Sequence, residues 1–105
     1  MRLREKQSKF VNLICKLVVF ATSQGYELTF GDAYRDPRCP YGSKTSNHHK
    51  RLAVDFNLFI DGKYQTTTEA HRPLGEYWES LDPECRWGGR FEDGNHYSLE
   101  HNGRA

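Results

Sequence analysis

The chain is 105 residues long, room for one domain and one modest core. With 36% hydrophobic and 28% charged residues, it reads as a soluble globular domain and not as a disordered or membrane chain. A net charge of +1 gives no electrostatic reason to expect a nucleic acid or a membrane surface as partner.

The first element is a helix. Leu3, Phe10, Leu13/Ile14, Leu17/Val18 and Ala21 recur every three or four residues, with Arg4, Glu5, Lys9, Asn12 and Lys16 on the remaining surface. Gly25 is placed as its C′ residue. Asn12 and Lys16 interrupt the apolar run, no small-residue cleavage site follows it, and it is too short to span a bilayer. It is therefore read as neither signal peptide nor membrane anchor.

Tyr26, Leu28 and Phe30 alternate with Glu27 and Thr29, which predicts a strand. From Arg35 to Asn47 the pairs Asp36-Pro37, Cys39-Pro40 and Gly42-Ser43 predict a loop. Ala53 to Ile60 predicts a second strand, with Val54, Phe56, Leu58 and Ile60 on one face and Ala53, Asp55 and Asn57 on the other. Asp61-Gly62 is a two-residue hairpin signal, and Lys63-Tyr64-Gln65 is the returning strand. A short helix is expected to start near Pro73 and to run through Trp78 to Leu81, ended by Asp82-Pro83. Cys85-Arg86-Trp87 and His96 to Leu99 are candidate strands around a Gly88-Gly89 turn.

Cys15, Cys39 and Cys85 match neither a metal clip nor a disulfide framework, and are expected to be reduced bystander thiols. His48, Asp55 and His96 are a different matter. Two imidazole nitrogens and one carboxylate oxygen make a three-ligand metal site with a fourth position open, the pattern of a catalytic zinc. His48 in a loop and Asp55 on the polar face of a strand can converge across the turn between them. His49, His71 and His101 lack a partner at motif spacing and are expected to be structural or exposed.

Ser46-x-His48 followed by Asp55, with Ala53 two residues before the aspartate, resembles the first metal motif of the VanY-type peptidoglycan metallopeptidases. These are the zinc D-alanyl-D-alanine carboxypeptidases and the phage L-alanyl-D-glutamate endopeptidases. Trp87-Gly88-Gly89 with Asp93-x-x-His96 resembles their second motif, and Ala33-Tyr34-Arg35 their Tyr-Arg segment. The resemblance implies Zn2+ as cofactor, held by His48, Asp55 and His96. It implies Asp93 as the general base, with Glu92 as the rival. Arg35 would hold a substrate oxygen and the developing oxyanion, and Ser46 would support the site and touch substrate. One position departs from the pattern. The family has glycine three residues after its first histidine; here Arg51 is expected to alter the backbone of that turn.

The chain is thus read as one α+β domain over residues 1–105, without a separate wall-binding domain. An N-terminal and a short C-terminal helix are expected on a small, mainly antiparallel sheet, with zinc in a cleft or at an edge. The implied activity is hydrolysis of peptidoglycan stem peptides. Compactness and the unrecognised signal peptide favour an endolysin-type L-alanyl-D-glutamate endopeptidase of phage or prophage origin. Such an enzyme would be monomeric, made in the host bacterial cytoplasm and released to the cell wall by a holin or similar lesion, causing bacteriolysis without inserting in the membrane. The alternatives are a D-alanyl-D-alanine carboxypeptidase and a non-enzymatic zinc-containing wall-binding domain. The Asn47-His48-His49 cluster alone suggests a nuclease, which the near-neutral charge opposes.

Overall fold

The computed structural model describes residues 2–31 and 50–101. The expected loop from Arg35 to Asn47, with Cys39 and Ser46, lies outside the described residues, as do His48 and His49.

Helix α1 (Leu3–Ser23) buries Lys6, Phe10, Leu13, Leu17 and Ala21. Leu3 and Val18, expected in the apolar stripe, are exposed instead. Lys6 occupies the stripe because its amine has partners: it donates to the Glu100 carbonyl and pairs with Glu84 at 3.1 Å. Lys9 reaches Asp82 and Glu84 at 3.1 and 3.0 Å, so two lysines tie α1 to the Asp82–Glu84 segment. Gly25, at φ +80°, reverses the backbone into β1 (Tyr26–Phe30).

Strand β2 (Ala53–Ile60) is the centre of a five-stranded sheet. It pairs with β1 on one side, and on the other with β5 (His96–Leu99) and the short β3 (Lys63–Gln65). Strand β4 (Cys85–Trp87) lies outside β5, and every pairing is antiparallel. Asp61 and Gly62 both take positive φ, as a tight hairpin of this twist demands.

The registers Val54↔Tyr97, Asp55↔His96 and Trp87↔Tyr97 sort the side chains into two faces. Val54, Phe56, Leu58, Tyr97, Leu99, Cys85 and Trp87 build the core with both helices. Asp55, Asn57, His96 and Ser98 share the opposite, polar face. Trp78 and Trp87 are therefore core, and each has its indole N–H satisfied by backbone carbonyls. Phe20 stacks on Tyr77 at 4.0 Å, joining α1 to the second helix.

Helix α2 runs Thr68–Leu81, five residues more than its predicted start at Pro73. Thr67 accepts the Ala70 N–H and caps the helix, so proline sits inside it and not at its first turn. Gly75 is where α2 meets Trp87: a Cβ there would stand 2.0 Å from the indole. The Gly88-Gly89 turn is a 3₁₀ helix, Gly88–Phe91. A Cβ on Gly89 would meet the Trp87 indole at 2.2 Å, and one on Gly88 the Asp93 carbonyl at 2.2 Å.

Among the described residues no helix is long and apolar enough to cross a membrane. Cys15 is exposed and Cys85 buried, both as free thiols, and burial pushes the Cys85 thiol up to about 12.

Candidate functional site

Asp55 stands on the central strand, opposite His96 on β5. Its backbone is held on one side by the Gly31 N–H, 2.7 Å from the Asp55 carbonyl, and on the other by the Phe56 N–H to the Asn95 carbonyl at 2.9 Å. Gly31 is packed against this residue, since a Cβ there would lie 3.3 Å from the Asp55 Cβ. The two side chains meet: His96 Nδ1 is 3.3 Å from Asp55 Oδ1, and both are mostly but not wholly covered, at 13% and 15% exposure. Two residues 41 apart in sequence are thus joined across the middle of the sheet, not at its edge.

Asp93 arrives by a different device. The 3₁₀ helix ends at Glu92, whose φ of +60° turns the chain back. Asp93 N–H then donates to the Gly88 carbonyl at 2.9 Å, and the Asp93 carbonyl accepts the His96 N–H at 3.1 Å. A one-turn reversal so links Asp93 to His96, and Gly88 must be small to allow it. Glu92 and Asp93 are not in a strand, so alternation does not send them to opposite sides. Both are exposed and line one cavity.

That cavity, about 180 Å³, is lined by Thr66, Thr67, Thr68, His71, Glu92, Asp93 and Asn95 among others. Of the two expected outcomes for His71, structural or exposed, the structure shows the first: it is buried, with Nδ1 2.8 Å from the Tyr97 hydroxyl. Burial holds its pKa down to about 4, so the ring is neutral at neutral pH. The threonine run was not singled out from the sequence, although three hydroxyls directly before Glu69-Ala70 are a helix-cap signal.

Arg51 falls in the turn before β2 with φ +58°, the left-handed region that glycine favours. Arginine has therefore not altered the backbone of this turn in the way expected; the glycine-like conformation is adopted with a side chain present.

A family model described as D-alanyl-D-alanine carboxypeptidase matches residues 41–99, more than half of the chain. The chain belongs to this VanY-like family of peptidases. Membership places it among peptidases directed at peptidoglycan, and the matched segment includes Ser46, His48, Asp55, Asp93 and His96 but not Arg35. No curated protein matches it.

Members of the D-alanyl-D-alanine carboxypeptidase family are generally zinc-dependent, and the described residues fit such an ion as far as they go. Two donors at about 2.0–2.2 Å from a tetrahedral zinc stand about 3.3–3.6 Å apart. The His96 Nδ1 to Asp55 Oδ1 separation has that value, whereas it is long for an N–H···O hydrogen bond. Among the described residues no third histidine, cysteine or carboxylate completes a metal-holding group; His48, the expected third ligand, lies outside them.

Proposed function

We propose that this chain is a zinc-dependent peptidase that hydrolyses peptidoglycan stem peptides at the L-alanyl-D-glutamate bond. The observation that carries the zinc reading is the pairing of Asp55 Oδ1 with His96 Nδ1 at 3.3 Å, inside the segment the family model matches. In this reading His48 is the third ligand. Zinc, when bound, supplies Lewis acidity that brings the pKa of water to about 7.

The protein's own groups do the rest. Asp93 takes the proton from the attacking water and passes it to the leaving amine. Arg35, charged at any working pH, holds the scissile carbonyl oxygen and the negative charge that grows on it. Ser46 supports this arrangement by hydrogen bonding and contacts the substrate.

The cavity beside Asp93 supports an endopeptidase. Its lining carries the Glu92 and Asp93 carboxylates, and the described lining residues include no lysine or arginine to meet a free terminal carboxylate. The family's description favours a second reading, a D-alanyl-D-alanine carboxypeptidase. The wider proposal is an endolysin of phage or prophage origin, acting as a monomer after release from the host cytoplasm through a holin-type lesion.

The test is mass spectrometry of purified peptidoglycan after incubation with zinc-loaded protein, with Asp93→Ala as control. A new amino terminus on D-glutamate supports the endopeptidase, and loss of terminal D-alanine the carboxypeptidase. Absence of cleavage across several wall chemotypes would overturn both and favour a wall-binding domain.

A further inference from the structure

The cavity next to Asp93 holds a buried histidine that the chemistry above does not use. The Tyr97 side chain is fully buried, and as a phenol it keeps its proton at neutral pH. Its hydroxyl hydrogen has one described partner, His71 Nδ1 at 2.8 Å. If Nδ1 carried the ring proton and donated instead, the phenolic hydrogen would be buried without an acceptor, which is costly. Tyr97 therefore donates, Nδ1 accepts, and the single proton of the neutral imidazole resides on Nε2. That N–H belongs to a ring lining the cavity.

The threonines add donors of the same kind. Thr67 Oγ1 already accepts the Ala70 N–H, and Thr68 Oγ1 the Gly94 N–H, so each hydroxyl keeps its hydrogen to give. Opposing them in the lining are the carboxylates of Glu92 and Asp93, which only accept. A free carboxylate would meet those two anions, and an isolated cation would leave the donors unmatched. A group that is neutral and carries both an acceptor and a donor satisfies both sides.

We propose that this cavity is a substrate subsite for a peptide amide adjoining the cut bond, with His71 Nε2–H donating to its carbonyl oxygen and Tyr97 acting as the positioning residue that fixes the tautomer. The proposal rests on the peptidase reading above and names the part of the substrate that the cavity takes.

The experiment uses long-range proton–nitrogen NMR of the histidine rings in metal-free protein, titrated with a synthetic stem peptide containing the L-alanyl-D-glutamate bond. The expected result is an Nε2–H tautomer for His71 whose Nε2 resonance moves on peptide addition. In zinc-loaded protein, His71→Gln and His71→Phe are compared with the unaltered chain. The Phe variant is expected to raise KM about tenfold with kcat little changed, the loss of one hydrogen bond, and Gln, which restores an N–H, to recover part of it. Tyr97→Phe should give mixed tautomers and an intermediate KM. An Nδ1–H tautomer, or an unmoved resonance with a peptide that the zinc-loaded protein does cleave, would overturn the subsite. A moved resonance without cleavage of any stem peptide supports the subsite and overturns the peptidase reading instead.

Discussion

Asp93 and His96 are three residues apart, yet the turn between them assigns them different fates on mutation. Asp93→Ala is expected to keep metal content and fold while losing about 10²–10⁴ in turnover, because it removes the proposed base and leaves the proposed ligands. His96→Ala is expected to lose zinc; full occupancy measured by metal analysis would remove it from the ligand set. Arg51 offers a test on stability alone. A side chain in left-handed backbone costs about 1–2 kcal/mol, most for β-branched residues. Arg51→Gly should therefore unfold at higher denaturant than Arg51→Val by about that energy, and equal midpoints would show that the turn relaxes. At this scale the meeting of Asp55 and His96 was legible in the sequence, since residue type and spacing single both out and the structure brings them to 3.3 Å. What could not be read was conformation: nothing in the sequence says that Arg51 and Glu92 both take φ near +60°. His71 was equally hidden, because a histidine that bonds a tyrosine 26 positions away leaves no local pattern.

The strands were legible because each has a period of two and strong boundaries: β2, the Asp61-Gly62 hairpin and β3 lie where alternation puts them. Pro73 is a start signal only when nothing upstream competes with it, and here the Thr67 cap six residues earlier decides where helix α2 begins. Its packing on the second motif turns on one missing atom. Gly75 lets the indole of Trp87 lie directly on the helix, and Trp87 in turn is flanked by the guanidinium groups of Arg72 and Arg90 at 5.6 and 5.5 Å. Gly75→Ala adds helix propensity but overpacks this contact, and is expected to destabilise by about 1–3 kcal/mol. A gain in melting temperature would show that Trp87 can move aside.

For the molecule as a whole, acid is the predicted weakness. His71 is neutral when folded down to about pH 4, whereas in the unfolded chain it takes up a proton near 6.5. Its contribution is complete above that higher value and is lost progressively as pH falls toward 4, about 3 kcal/mol in all. Asp82 and Glu84 act in the same direction at lower pH. Hydrogen bonds, to Asp82 from the Glu84 N–H and to Glu84 from Lys9, hold both carboxyls below their usual range. Urea unfolding of metal-free protein at pH 7 and pH 4.5 should show the loss, and His71→Gln should lessen it. An unchanged pH slope in that variant would assign the acid sensitivity elsewhere.

The Trp87 indole N–H donates to the Gly94 carbonyl at 2.7 Å, one residue after Asp93. The segment carrying the proposed base is therefore wired to a chromophore the protein already possesses. In a Trp78→Phe background the remaining indole, screened from solvent and hydrogen-bonded to that segment, becomes an optical reporter of it. Its emission maximum would follow ligand entry in real time, without any label.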